Sequence, residues 1–344
     1  MKKILCINLR GNPSCLGGVE TFERNLKKMF LKELFLISYK TNKLKYYKVE
    51  DLMEIDTESL KFFLLRKIFR KNRVVKKIFS KLEYDIYILN SPKELIYLKK
   101  NSNTILVQHT MYEKYMEMFF KENELIDKCK QELKYFVFLS KYDKEKFVKN
   151  LNFPIEKAKV IRHSSEIELL TGKKIRNKNL IIISRLKNNE KRIDLAIKSM
   201  RKLKDFILNI YGDGEDKKYL EDLIKENNLK NVILHGGTNQ VKEKLDENGI
   251  FIMTSDYEGY GITNIEAMRR GLPIILRNTF DSAPDIVQDN GVLLEKEWDE
   301  DKFVEAVRKV YDNYEYYSEN SIKMGKRHDF EVIKKEWNKL FESL

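Results

Sequence analysis

Twelve short apolar runs, most followed by a longer helical stretch, recur along this 344-residue chain. Six lie in the first half, at 3–9, 34–38, 86–90, 104–108, 135–139 and 158–161, and six in the second, at 179–184, 207–211, 232–235, 250–254, 273–276 and 291–294. Few folds accommodate such a pattern. Continuously apolar strands need cover on both faces, and parallel neighbours need a crossover helix between them. The fold class is therefore α/β with parallel sheets. The chain is longer than one hydrophobic core usually supports, so two domains are expected. The stretch 166–178, polar with Gly172 and several lysines, has linker composition and divides the chain into 1–168 and 178–329. Two Rossmann-like halves joined there predict a ligand cleft between the carboxyl edges of both sheets. The last stretch, 330–344, carries Trp337, Leu340 and Phe341 on one helical face that must be buried.

Composition narrows the partners. No apolar run reaches membrane-spanning length. The start, Met1-Lys2-Lys3 and an apolar run, breaks too early at Arg10-Gly11-Asn12-Pro13 for a signal peptide and reads as a first strand. Cys6, Cys15 and Cys129 form neither a disulfide framework nor a metal motif, which points to a reducing, cytoplasmic setting. A formal charge of +13 calls for an anionic partner: a membrane surface, nucleic acid or a phosphorylated substrate.

The most informative local string runs from Ser255 to Ile275. An apolar strand leads into a loop with Glu258, Gly259, Tyr260 and Gly261, then Ile262 and Thr263 open a short helix containing Glu266. Glycine ahead of a helix lets a ligand approach the backbone, and the helix start offers unpaired N–H groups to an anion. One carboxylate can face what is attached to that anion, and the other can accept bonds from hydroxyls beyond it. A diphosphate with a polyol at each end, a nucleotide sugar, fits this layout.

With its glycines, Ala267 and Gly271-Leu272-Pro273, the string resembles the Glu-x7-Glu signature of retaining nucleotide-sugar glycosyltransferases, family 4 of the GT-B-fold enzymes. The resemblance implies a GT-B fold, with two Rossmann-like domains facing each other across a cleft and the final helix packed back on the first domain. It also implies roles. Glu258 would bind sugar hydroxyls near the anomeric centre and Glu266 the ribose hydroxyls, with Tyr260, Gly261, Ile262 and Thr263 on the donor.

Further matches follow in order. Gly17-Gly18-Val19-Glu20 opens a helix after the first strand, where a phosphate can touch backbone amides, and is similar to the family loop facing the donor diphosphate. It lacks the Gly-x-Gly-x-x-Gly spacing of a dinucleotide fold. Arg185, at the end of a strand, and Lys191, near the next helix start, would hold positive charge over the diphosphate. The loop is one residue longer than the commonest family version, leaving Lys191 or Arg192 for the contact, with Lys191 favoured. The loops at Gly212 and Gly236 resemble those on the nucleotide side. Asp213 and Glu215 lack the partners of a metal site, so no metal and no cofactor are expected. His109, closing an apolar strand, reads on its own as a hydrogen-bonded structural residue; the resemblance implies a contact with the donor sugar. His163 stands where the family often has Asn-Gly, and His328 reads as surface.

The reaction implied is transfer of a hexosyl group, with retention, from a nucleotide diphosphate sugar to an acceptor hydroxyl. UDP is favoured only as the commonest base among similar enzymes. The segment 61–81 has nine basic residues, no acid and apolar positions at helical spacing. Either it packs its apolar stripe in the core and solvates its basic face, or that face also meets an anionic membrane. The second suits a cell-envelope or lipid-linked glycan acceptor. Rival readings are a glycosidase using Glu258 and Glu266, a basic nucleic-acid or membrane binder, and a catalytically silent partner protein. No nucleic-acid motif supports the binder.

Overall fold

The computed structural model describes residues 2–15, 17–59, 62, 71–120 and 123–344. The chain divides into two compact units, Met1–His163 with Ile333–Leu344, and Ser164–Val332. Each is built on one wholly parallel sheet.

In the first unit seven strands lie in the order β3-β2-β1-β4-β5-β6-β7. They are β1 (Ile4–Asn8), β2 (Leu34–Tyr39), β3 (Leu52–Ile55), β4 (Ile86–Leu89), β5 (Thr104–Val107), β6 (Tyr135–Phe138) and β7 (Ala158–Val160). Every residue of β1, β4 and β5 is buried, the pattern of strands covered on both faces. Only β3 escapes the sequence pattern. It is a half-exposed edge strand among acids, so its apolar signal is weak. Chain order reverses between β1 and β4, which makes their carboxyl ends the switch point where open α/β sheets bind ligands. The apolar face of the helix Phe330–Glu342 is spent within this unit: Trp337 is 1% exposed, and its ring lies 6.2 Å from that of Phe22.

The second unit has six strands in the order β10-β9-β8-β11-β12-β13. These are β8 (Asn179–Ile183), β9 (Ile207–Tyr211), β10 (Val232–Gly236), β11 (Ile250–Met253), β12 (Ile274–Arg277) and β13 (Gly291–Leu294). Its switch point falls between β8 and β11. The stretch of linker composition is irregular but tied down. Leu170 donates its amide to Arg269 O, and the Arg269 and Arg270 guanidinium groups donate to Ile167 O and Glu168 O. A helix–helix contact holds this edge: a Cβ at Gly325 would lie 2.9 Å from Arg269 Cα, so the helices Ile262–Arg269 and Tyr314–Lys326 touch where only glycine fits.

Candidate functional site

In the second unit, the loops after β8 and β11 bring predicted residues together. Lys191 ends the four-residue helix Asn188–Lys191, and its Nζ donates to Glu258 Oε1 at 2.5 Å, with both side chains less than one-fifth exposed. Ser255 Oγ donates to the same oxygen at 3.1 Å. Arg192 adopts left-handed backbone angles (φ 48°) that turn the chain into the helix Ile193–Ser199, and its guanidinium goes to Asp194 and Asp256 instead. Lys191, and not Arg192, therefore meets Glu258. Arg185 is exposed and has no side-chain hydrogen bond or ion pair among the described residues.

The loop carrying Glu258 is braced from several directions. Buried Arg277 donates to Thr254 O and to Asp256 Oδ1 (2.6 Å), Thr279 Oγ to Ser255 O, and Ser282 Oγ to Gly259 O. Gly261 caps the helix Ile262–Arg269 at φ 74°, and a Cβ there would meet the Asn264 amide nitrogen at 2.6 Å. The helix presents its first amides, those of Ile262 and Thr263, at this loop, without intrahelical partners. Glu266 is half-buried on its fifth position.

The glycine loops beside them serve different ends. A Cβ on Gly212 would lie 1.8 Å from Ser184 O, and one on Gly214 2.5 Å from Leu186 O. These glycines let the loop after β9 press on the loop that carries Arg185, an arrangement stitched by Leu186 N to Asp213 O and Gly212 N to Gly236 O. Gly236, at φ 84°, has open space where a side chain would be.

In the first unit the corresponding edge is a buried polar network. Asn90 donates through its amide to Ile7 O and to Glu23 Oε1 (3.1 Å), and Asn8 donates to Glu23 Oε2 (2.9 Å). With its nitrogen so used, Asn90 turns Oδ1 to His109, whose Nε2 is 2.7 Å away and must donate. Burial and repulsion from His163 hold His109 well below the usual histidine range, so it is a neutral imidazole with its lone pair on Nδ1. The His163 ring lies parallel to it at 5.7 Å, and burial lowers His163 to about 4. Burial raises the Glu23 carboxyl well above the usual range. Gly17 and Gly18 begin the helix Gly18–Met29, but the Glu20 carboxylate already lies against Gly11 and Gly17, where added Cβ atoms would meet it at 2.1 Å. Gly18 is open.

Residues 170–328 match the family model described as glycosyl transferases group 1. The match lies within the second unit, so it is this unit that is similar to the glycosyl transferases of group 1. Among curated relatives, the poly(glycerol-phosphate) alpha-glucosyltransferase of Bacillus subtilis is 29% identical over 43% of this chain, and the match spans 23% of that protein. The poly(ribitol-phosphate) alpha-N-acetylglucosaminyltransferase of Staphylococcus aureus is 30% identical over 44% of this chain and 33% of its own length. This chain thus spans a third or less of those relatives. The crystal structure of Anabaena HepE with UDP and glucose superposes over both whole chains with a TM-score of 0.77 at 15% identity, which establishes a shared GT-B fold.

The structure narrows one sequence expectation and corrects another. The resemblance puts Tyr260 on the donor, but its side chain is 1% exposed and its hydroxyl donates to Asp285 Oδ2 at 3.0 Å, so only its backbone can face a ligand. His328, which reads as surface in sequence, is fully buried with its ring 5.5 Å from that of Tyr260. Sequence reasoning also misses Asp256, Arg277 and Asp285, which brace the Glu258 loop. The readable signal is Arg277, a charge ending an apolar strand. Part of the basic segment, 61 and 63–70, lies outside the described residues. Its remainder includes the helix Lys71–Phe79, with Val74, Val75 and Phe79 in the core and Lys71, Arg73, Lys76 and Lys77 exposed. Among the described residues no helix is long and apolar enough to cross a membrane.

Proposed function

We propose that this chain is a retaining hexosyltransferase that moves a sugar from a UDP-sugar to a hydroxyl of a cell-envelope or lipid-linked glycan. The observation that carries the reading is the Lys191–Glu258 pair, set beside the start of the helix Ile262–Arg269 at the switch point of the second sheet. An ammonium, the nearby Arg185 and a helix N-terminus suit a departing diphosphate, while the adjoining carboxylate suits sugar hydroxyls.

In the step we assign, the bond from the anomeric carbon to the diphosphate oxygen breaks and negative charge grows on the diphosphate. Lys191, Arg185 and the amides at 261–263 stabilise it. The acceptor oxygen bonds to the anomeric carbon on the face the diphosphate leaves, and the acceptor proton passes to a departing phosphate oxygen. Glu258 orients the sugar, Glu266 the ribose, and neutral His109 a sugar hydroxyl; Gly17, Gly18, Gly212 and Gly236 belong to the loops around the donor. We invoke no metal ion or cofactor, since the two cations and the amides carry the charge. UDP is supported by its presence in HepE, and retention by relatives named for α-transfer, because an α-linked UDP-sugar yields an α-glycoside by retention. We place the reaction on the cytoplasmic side of a membrane, with the basic segment 61–81 against anionic lipid.

Titration of the purified chain with UDP, GDP and ADP tests the donor site. UDP should bind at micromolar concentration, and Glu266→Ala should weaken it by about tenfold or more, roughly 1.4 kcal/mol. Binding of none of the three would refute the reading. The anomeric configuration of the product, read by NMR, tests retention, and a β-linked product from an α-linked donor would refute it.

A further inference from the structure

A cavity of about 220 Å³ opens at the switch point of the first sheet, lined by Arg10, Tyr39, Ser91, Lys93, Glu94 and Tyr97. These residues come from the end of β2 and from the segments after β1 and β4, so three strand ends converge on it. None of them belongs to the donor site assigned above.

Its charge is unbalanced. The Arg10 guanidinium lies 4.8 Å and Lys93 Nζ 5.9 Å from the centroid of the same Phe119 ring, and Lys71 Nζ sits 4.4 Å from that of Tyr39. None of the three cations has an ion-pair partner among the described residues. The single acid in the lining, Glu94, forms no ion pair with them, although the Arg10 charge does draw its carboxyl down. It is buried, and its oxygens accept from the amides of Leu9, Asn90 and Ser91. Burial pushes its carboxyl up to about 8 despite those bonds. The cavity thus combines two cations at one ring with tyrosine and serine hydroxyls on the wall. Cations recognise a phosphate, and hydroxyls recognise a polyol. The volume is below that of a drug-sized pocket and admits one small unit rather than an oligosaccharide.

We propose that this cavity is an acceptor subsite for a phosphorylated polyol, with Arg10 and Lys93 on the phosphate and Tyr39, Ser91 and Tyr97 on the polyol hydroxyls. It deepens the transferase reading and rests on it for the word acceptor, but its occupancy is measured without a donor.

The test is direct binding of sn-glycerol 3-phosphate, inorganic phosphate and glycerol to the full chain, in parallel with UDP. We expect saturable binding of glycerol 3-phosphate, weaker binding of phosphate and none of glycerol. Lys93→Glu and Arg10→Glu should each weaken glycerol 3-phosphate at least tenfold and leave UDP unchanged. Tyr97→Phe should bring its affinity towards that of phosphate. No binding of glycerol 3-phosphate, binding that survives both charge reversals, or phosphate binding as tightly would each overturn the subsite. A failure of the unaltered chain to bind UDP would overturn the donor reading instead, and the glycerol 3-phosphate titration would still decide the subsite independently.

Discussion

The two units carry the same parallel-sheet plan and use the ends of their central strands in opposite ways. In the second unit the switch point presents charge: Arg185 is exposed, and Lys191 and Glu258 form a mostly buried ion pair between their loops. In the first, Arg10 and Lys93 stay exposed at the rim, while the acids and imidazoles behind them are enclosed and driven towards neutrality, with Glu23 and Glu94 raised and His109 and His163 lowered. A charged site is useful where charge develops during a reaction, because fixed charges then need no reorganisation. A neutral hydrogen-bonded network costs less to bury, and it fixes orientation, as Asn90 does for His109.

The largest expected effect breaks the charged side. Lys191→Ala should lower transfer about 10²–10³-fold, the range seen when one preorganised electrostatic group is removed, with circular dichroism unchanged. An activity loss below about threefold would mean that the pair is only structural. The neutral side should instead show itself in stability. His163 falls to about 4 in the folded chain against a usual value near 6.5, so between those pH values the unfolded chain binds the extra proton. Stability contributed by neutral His163 is full above about pH 6.5 and is lost as pH falls towards 4, by roughly 3 kcal/mol. Urea unfolding at pH 7 and pH 5 should show the decline in the native chain and a flatter profile in His163→Leu.

A pair of glycines sharpens the contrast at smaller cost. Gly212→Ala drives a methyl into Ser184 O and should cost roughly 2–3 kcal/mol, while Gly18→Ala meets open space and should be neutral or slightly stabilising in thermal melts. Equal losses at both positions would show that the loops after β1 and β9 are built alike. The smallest effect is expected from Lys76→Ala with Lys77→Ala. Both are exposed on a helix whose apolar residues are already in the core, so stability should change by less than about 0.5 kcal/mol. Binding to anionic vesicles should nevertheless fall, and unchanged vesicle binding would remove this face from the membrane contact.

Much of the fold is legible because its signal is local. The apolar runs that form β1, β4, β8 and β11 are continuous, since such strands are buried on both faces. Glu258, Gly261 and Lys191 can be found because each sits at a strand end or helix start, where chain neighbours announce the geometry. The residues that escape such reasoning act across the chain. Asp285 and Asp256 look like surface acids in sequence, yet one holds the Tyr260 hydroxyl and the other Arg277. His328 looks exposed because the polar residues around it in sequence do not reveal that it packs beside Tyr260.

By itself the sequence determined the α/β class, the order of the strands along the chain and the loops that carry the chemistry, because periodicity, glycine and chain ends are properties of neighbours. Tertiary structure alone decided that Lys191 rather than Arg192 meets Glu258, that His109 donates from Nε2, and that Arg10 and Lys93 share one cavity. Each of these depends on atoms brought together from distant segments. No local pattern encodes which partner a charge finds once water is excluded.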